Sequence, residues 1–139
     1  MSRASIPRTQ LPPERLPGVA KRSFALSFHG GEIWFEHLDG MYQYADLTRA
    51  KLMADSEAFL RPSGTSFMAV VLFDTWLPEE VTSLMAPLLC RSGRAFRRVC
   101  FVGAEPALRR ALKAALGRDC PFLYAFLDDT EAAKEWLLP

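Results

Sequence analysis

An α/β fold built on a mixed, mostly parallel sheet of about five strands, in the order β-β-α-β-α-β-α-β-α, is what this sequence predicts. Three observations carry that expectation. Residues 67–91 read FMAVVLFDTWLPEEVTSLMAPLLCR: an apolar run, a turn and an amphipathic helix. The strand-turn-helix pattern recurs from Val99 and again from Phe122. Ahead of these, two stretches of strand character flank Gly30-Gly31. Strands that alternate with helices through short connections are expected to run parallel through right-handed crossovers. At 139 residues, half of them hydrophobic, the chain has the size of one domain able to bury a core.

Residues 1–22 contain Pro7, Pro12, Pro13 and Pro17 and almost no periodic apolar residues, which reads as a flexible, basic, Pro-rich arm. Residues 23–139 form the expected domain. Phe24, Leu26 and Phe28 alternate with small polar or small apolar residues, as in a half-buried strand. Gly30-Gly31 supplies a turn, and Ile33 to Leu38 continues the hairpin. Its alternation puts Ile33, Phe35 and His37 on one face and Trp34, Glu36 and Leu38 on the other. Asp46 is placed to cap a helix ending near Leu60, before Arg61-Pro62-Ser63-Gly64, with Leu52, Met53, Phe59 and Leu60 inward.

Phe67 to Phe73 has no polar residue, so both of its faces should be covered. The following helix, from about Pro78 to Cys90, presents Val81, Leu84, Met85, Leu88 and Leu89 at helical spacing, with Glu79 and Glu80 where the helix dipole favours negative charge. Val99 to Val102 is the next strand. Its helix turns Leu108, Leu112, Ala115 and Leu116 inward and ends at Gly117. Phe122 to Leu127 is the last strand, and Asp128 with Glu131 has the spacing of a capping box for a helix bearing Trp136 and Leu137. If the helices cover mainly one sheet face, the hairpin, the arm or a second subunit in a homodimer must cover the other.

The formal net charge of +1 conceals an asymmetry. Residues 1–22 carry +4 and the remaining 117 carry −3, so the body lacks the basic surface of a nucleic-acid binder. Cys90, Cys100 and Cys120 stand ten and twenty residues apart, a spacing that matches no zinc or redox motif and suits reduced thiols in a cytoplasmic protein. His29 and His37 could meet across the hairpin, yet two histidines without a third ligand are ordinarily structural. The apolar runs fall short of the roughly 20 residues of a membrane helix. No cofactor motif is present.

Ligands in open α/β sheets bind beyond the carboxyl ends of the strands, which selects Asp74-Thr75-Trp76, Gly103-Ala104-Glu105 and Asp128-Asp129-Thr130. Acidic groups gathered there could hold Mg²⁺ beside a phosphoacceptor, but the region after the first strand is a Gly-Gly hairpin without the acidic pair such a site needs. There is no P-loop, dinucleotide fingerprint or nucleophile elbow. Arg91, Arg94, Arg97 and Arg98 could bind an anion or an acidic protein, although a solvated connector is the plainer account.

The element order, the VVLFD strand with its helix, the FRRVCFVG strand and the ending FLDDTEAAKEWL together resemble the STAS domain superfamily (sulfate transporter and anti-sigma-factor antagonist), in particular its small stand-alone members, over residues 23–139. The resemblance implies a non-catalytic regulatory module that binds partner proteins, sometimes under control of a phosphorylated serine. That serine lies in an Asp-Ser-Ser-Gly-like turn after the central strand. Here the turn reads Asp74-Thr75-Trp76-Leu77-Pro78-Glu79-Glu80, so no family phosphosite carries over. Thr75 is a substitute acceptor or a helix-capping hydroxyl. Trp76 is a binding anchor or a plug at the end of the sheet. The expectation is a partner-binding surface of Asp74, Thr75, Trp76, Glu79 and Glu80, with no catalytic or metal-binding residues. The rival expectation is a carrier of a small apolar, lipid- or quinone-like molecule held between sheet and helices; an enzyme ranks third.

Overall fold

The computed structural model describes residues 7–61, 64–90 and 96–139. Strands β1 (Phe24–Phe28) and β2 (Gly31–His37) form an antiparallel hairpin. Its turn lies one residue earlier than the glycine pair suggested: Phe28 pairs with Gly31, leaving His29 and Gly30 as the two central residues, at φ 49° and 80°. Two left-handed residues match the twist of antiparallel strands, and only the second needs to be glycine because histidine tolerates this region better than branched residues do. The hairpin does not bring the histidines together. His29 sits in the turn itself, while His37 ends β2, so the two do not meet.

From β2 onward the sheet is parallel. Strands β3 (Phe67–Val71), β4 (Arg98–Val102) and β5 (Leu123–Leu127) add one after another, giving the spatial order β1-β2-β3-β4-β5. The connecting helices are α2 (Ala45–Phe59), α3 (Glu79–Cys90) and α4 (Pro106–Leu116), and α5 (Thr130–Leu137) follows β5. Strands added always in the same direction, through crossovers of one hand, put their helices on one face. One core cluster accordingly joins Met68, Val70, Leu72, Val99 and Phe101 of the strands and their exits to residues of α2, α3 and α4.

The opposite face is covered by α5, which the sequence expectation does not name for that role. Ala133 and Leu137, one turn apart on α5, share a second cluster with Ile33, Phe35, Ala69, Val71, Cys100 and Val102. The Arg98 guanidinium lies 5.2 Å from the Trp136 ring centroid and donates to the Trp136 carbonyl at 2.6 Å. Lys134 lies over Phe28, and His29 Nδ1 meets the Leu138 carbonyl at 2.9 Å, which ties the end of the helix to the hairpin turn. Both faces of β3 and β4 are thus buried beyond the first residue of each strand, as the apolar runs 68–71 and 99–102 require.

Two helix starts differ from expectation. Tyr44 is the N-cap of α2, without a side-chain cap, and Asp46 lies inside the first turn, where its charge still suits the dipole. The buried stripe of α2 is Thr48, Leu52, Ser56 and Phe59; Met53 is turned out, because a 3.6-residue period cannot keep it beside Leu52 on one side. The two buried hydroxyls are satisfied within the helix, Thr48 by the Tyr44 carbonyl and Ser56 by that of Met53. At α5 the cap is Asp129, whose carboxylate accepts from the Ala132 amide at 3.0 Å, and not Asp128.

Residues 1–6 of the expected arm lie outside the described residues. From Pro7 on, the segment lies against the β2–α2 connection. A 3-10 turn (Pro13–Arg15) leads into the short helix α1 (Pro17–Ala20), and Leu16 between them is 2% exposed. Gly18 donates its amide to the Gly40 carbonyl at 3.1 Å, and the Gln43 side chain brackets the Thr9 backbone at 3.1 Å on both sides. A Cβ on Gly18 would collide with the Asp39 carbonyl and the Met41 sulfur, so only glycine allows this approach.

Candidate functional site

The residues singled out from sequence all follow β3, at the carboxyl edge of the parallel strands. Two loops are zipped together there. The Tyr42 amide donates to the Asp74 carbonyl at 2.8 Å, the Trp76 amide to the Tyr42 carbonyl at 2.9 Å, and Tyr42 and Thr75 form a parallel bridge. Asp74 takes φ 52°, which turns the chain out of the sheet, and Asp and Asn accept this region more readily than most side chains. Thr75 is turned inward and only 1% exposed. Its hydroxyl donates to the Leu38 carbonyl at 2.6 Å and accepts from the Met41 amide at 3.1 Å. That hydroxyl joins the β2 exit to the β3 exit and does not cap α3.

Trp76 is half-buried and stands between two surface grooves. One, of about 260 Å³, lies between α3 and α4 and is lined by Trp76, Pro78, Glu79, Glu105, Leu108 and Ala111 among others. The second, of about 530 Å³, lies between α2 and α3, where Asp46, Arg49, Glu80 and Leu84 join Trp76. Asp74, Glu79 and Glu80 are exposed. Among the described residues none of these three, nor Glu105, has an ion pair, whereas Asp39, Asp55, Asp128 and Glu131 each have a lysine or arginine within 3.0 Å. Glu105 holds the N-cap position of α4, and its carboxylate accepts no capping bond from that helix. The structure therefore brings Trp76, Glu79, Glu80 and Asp74 to one edge, adds Glu105, and withdraws Thr75 into the interior.

The remaining candidates disperse. Asp128 pairs with Arg109 at 2.7 Å and Asp129 caps α5, so neither faces Asp74 in a shared cluster. Among the described residues no three His, Cys, Asp or Glu side chains are arranged to hold a metal ion. Cys100 is buried, which pushes its thiol up to about 12. Cys90 and Cys120 are half-buried neighbours, and burial together with the Cys120 thiol raises Cys90. Of the arginine cluster, Arg91 and Arg94 lie outside the described residues, Arg97 stands over the Phe67 ring, and Arg98 holds α5. No helix among the described residues is long and apolar enough to cross a membrane.

No protein-family model, curated protein or solved structure matches this chain.

A buried polar network under the β1–β2–α2 edge was not anticipated as such. Glu36 is fully buried, with Oε1 accepting the Trp34 indole N–H at 2.9 Å. Burial, reinforced by the Asp55 carboxylate, pushes Glu36 up to about 9. Held protonated, the Glu36 carboxyl faces Asp55 as a hydrogen-bond donor, which raises Glu36 and lowers Asp55. Asp55 also accepts from Ser23 Oγ at 2.8 Å and from Lys51 Nζ at 3.0 Å. Burial raises Asp55 and these three hydrogen bonds outweigh it, leaving it below the usual carboxylate range. The signal was present in the alternation, which set Glu36 on the same face as Trp34 and Leu38. A carboxyl on a core-facing strand position must find partners or stay protonated, and this one does both.

The sheet order itself limits the chemistry. Ligands in doubly wound sheets sit in the crevice where the strand order reverses. A sheet ordered β1 to β5 in sequence has no reversal, and the hollows beside Trp76 at its carboxyl edge are grooves between neighbouring helices.

Proposed function

We propose that this chain is a non-catalytic protein-interaction module of the STAS-like type, with its contact surface on the Asp74 to Glu80 turn and the adjoining face of α3. One observation carries the reading. Trp76 is half-buried at a sheet edge, flanked by two grooves and by carboxylates without ion partners among the described residues. A tryptophan so placed offers a large, rigid apolar area with few rotamers to immobilise, the kind of residue that dominates binding energy at protein interfaces. Free carboxylates around it supply a polar rim and set the charge of the partner.

Two further features support the reading. The element order on which the STAS resemblance rests is the order found in residues 23–139. The position where the family keeps its serine switch is held here by a turn whose hydroxyl, on Thr75, is engaged in joining two loops. The module accordingly works without phosphorylation at Thr75.

The test is affinity capture from native lysate with wild type and Trp76→Ala side by side, with circular dichroism and thermal melting of both. Partner loss by Trp76→Ala at a preserved melting temperature is the expected result. Equal capture by the two proteins would sink this choice of surface, and loss of the folded signal would assign Trp76 to the core.

A further inference from the structure

The two grooves beside Trp76 differ in charge, and the difference points to the partner. The α2–α3 groove carries Arg49 together with Asp46 and Glu80, so its charges are mixed. The α3–α4 groove has only acidic charged residues, Glu79 and Glu105, in its lining. The nearest cation along α4 does not neutralise Glu105, because the Arg109 guanidinium is engaged by the Ala104 carbonyl at 2.9 Å and by Asp128 at 2.7 Å.

The shape is equally specific. Past Glu79 and Ala111 the α3–α4 groove continues as a second hollow of about 330 Å³, floored by Thr82, Ser83, Ala114 and Ala115. From Ala107 to Ala115 this trough follows about 12 Å of helix, a little more than two turns, at roughly 1.5 Å per residue. Small side chains on both walls allow another helix to approach closely. An extended peptide would find no strand to pair with, since no sheet edge reaches the groove.

We infer that the partner element is a short cationic amphipathic helix of a second protein, lying along the α3–α4 groove with an apolar residue against Trp76 and Leu108 and lysine or arginine against Glu79 and Glu105. This rests on the reading of the Trp76 edge as the contact surface. Its basic end lies at the Trp76 mouth, where the two carboxylates are, and its apolar stripe runs over Ala111 and Ala115. Charge complementarity selects the partner and speeds encounter, while the apolar anchor supplies the lasting contact.

The test is selection of a random peptide library displayed on phage against the full chain, followed by fluorescence anisotropy of labelled synthetic copies of the selected peptides. Four proteins are compared: wild type, Trp76→Ala, Ala111→Arg, and the double variant Glu79→Gln, Glu105→Gln, each first shown to be folded by circular dichroism. Trp76-dependent peptides are expected to carry lysine or arginine beside apolar residues at i, i+3 and i+4 spacing. The double variant should bind them about tenfold more weakly, and its remaining binding should be less sensitive to salt than that of wild type. Ala111→Arg should abolish binding with Trp76 still in place. Trp76-dependent peptides that are acidic or neutral, or that bind the double variant or Ala111→Arg as tightly as wild type, overturn the cationic helix and leave the contact surface standing. A selection whose peptides all ignore Trp76→Ala, or that yields none, overturns the surface itself.

Discussion

The indole N–H of Trp34 donates to Oε1 of Glu36 at 2.9 Å, two residues along the same strand, and gives a fully buried carboxyl one of its few partners. With its folded value near 9 against an ordinary 4.5, Glu36 binds a proton in the folded state that it has lost in the unfolded state across that interval. Its contribution is therefore fully present below about pH 4.5 and fades as pH rises toward 9, with a limiting slope of about 1.4 kcal/mol per pH unit for one proton. Glu36→Gln keeps an acceptor for Trp34 and a donor for Asp55 without the titration. Urea midpoints at pH 5, 7 and 8.5 should fall with pH in wild type and stay nearly level in Glu36→Gln; parallel curves would show that Glu36 is ionised in the folded protein.

Asp39 has the opposite sign. It is 5% exposed, and although burial raises it, hydrogen bonds from His37 and Lys21 hold it below the usual carboxylate range. A lowered acid stabilises the fold above its unfolded value, and that contribution is lost as pH falls through the folded one. Asp39→Asn should lower stability at pH 7 and flatten the acid limb of the stability profile below about pH 4. An unchanged acid limb would exclude Asp39 as a source of acid sensitivity.

The Thr75 hydroxyl serves a buried amide and a buried carbonyl at once. Thr75→Val keeps the shape and leaves both short of a partner, at a cost of about 1–3 kcal/mol. Thr75→Ser should recover most of this. Denaturant unfolding measures both, and incubation with phosphodonors should leave Thr75 unmodified in the folded protein. Equal stability of Thr75→Val and wild type would remove the bridge from the account of this turn.

Leu137 is 1% exposed on the face that α5 covers. Leu137→Ala should destabilise by about 2–5 kcal/mol, the range for emptying a packed site, read from urea unfolding. A loss below about 0.5 kcal/mol, the range for surface positions, would mean that α5 is not the cover of that face.

The strand order along the chain and the paired apolar stripes of α3 and α4 were legible in the sequence because both express a period, and periods survive without knowledge of tertiary contacts. Boundaries set by a single residue were not. The hairpin turn fell on His29-Gly30 because register, decided by Phe28 against Gly31, outranks the local preference of two glycines. Asp129 and not Asp128 caps α5, a choice that depends on where β5 stops. At the candidate surface, Trp76, Glu79 and Glu80 could be named from their place in a turn. Glu105 could be listed but not joined to them, since 26 residues separate it from Glu79 and only the parallel packing of α3 beside α4 brings the two carboxylates into one groove. Thr75 was misplaced for a related reason: a hydroxyl in a turn looks like a cap until its partner 37 residues away is known.

The unreversed strand order bears on how the chain is made. Each of β2 to β5 docks beside the strand synthesised just before it, so a growing polypeptide can extend the sheet one unit at a time without reopening an earlier pair. Vectorial assembly of this kind keeps the connections between neighbours modest in length and avoids waiting for distant segments. The exception is α5, which emerges after all five strands and packs its Ala133 and Leu137 in one cluster with Val71, Cys100 and Val102. Until it docks, one side of a nearly finished sheet keeps its apolar side chains in water, which makes the docking of α5 the step that closes the second core.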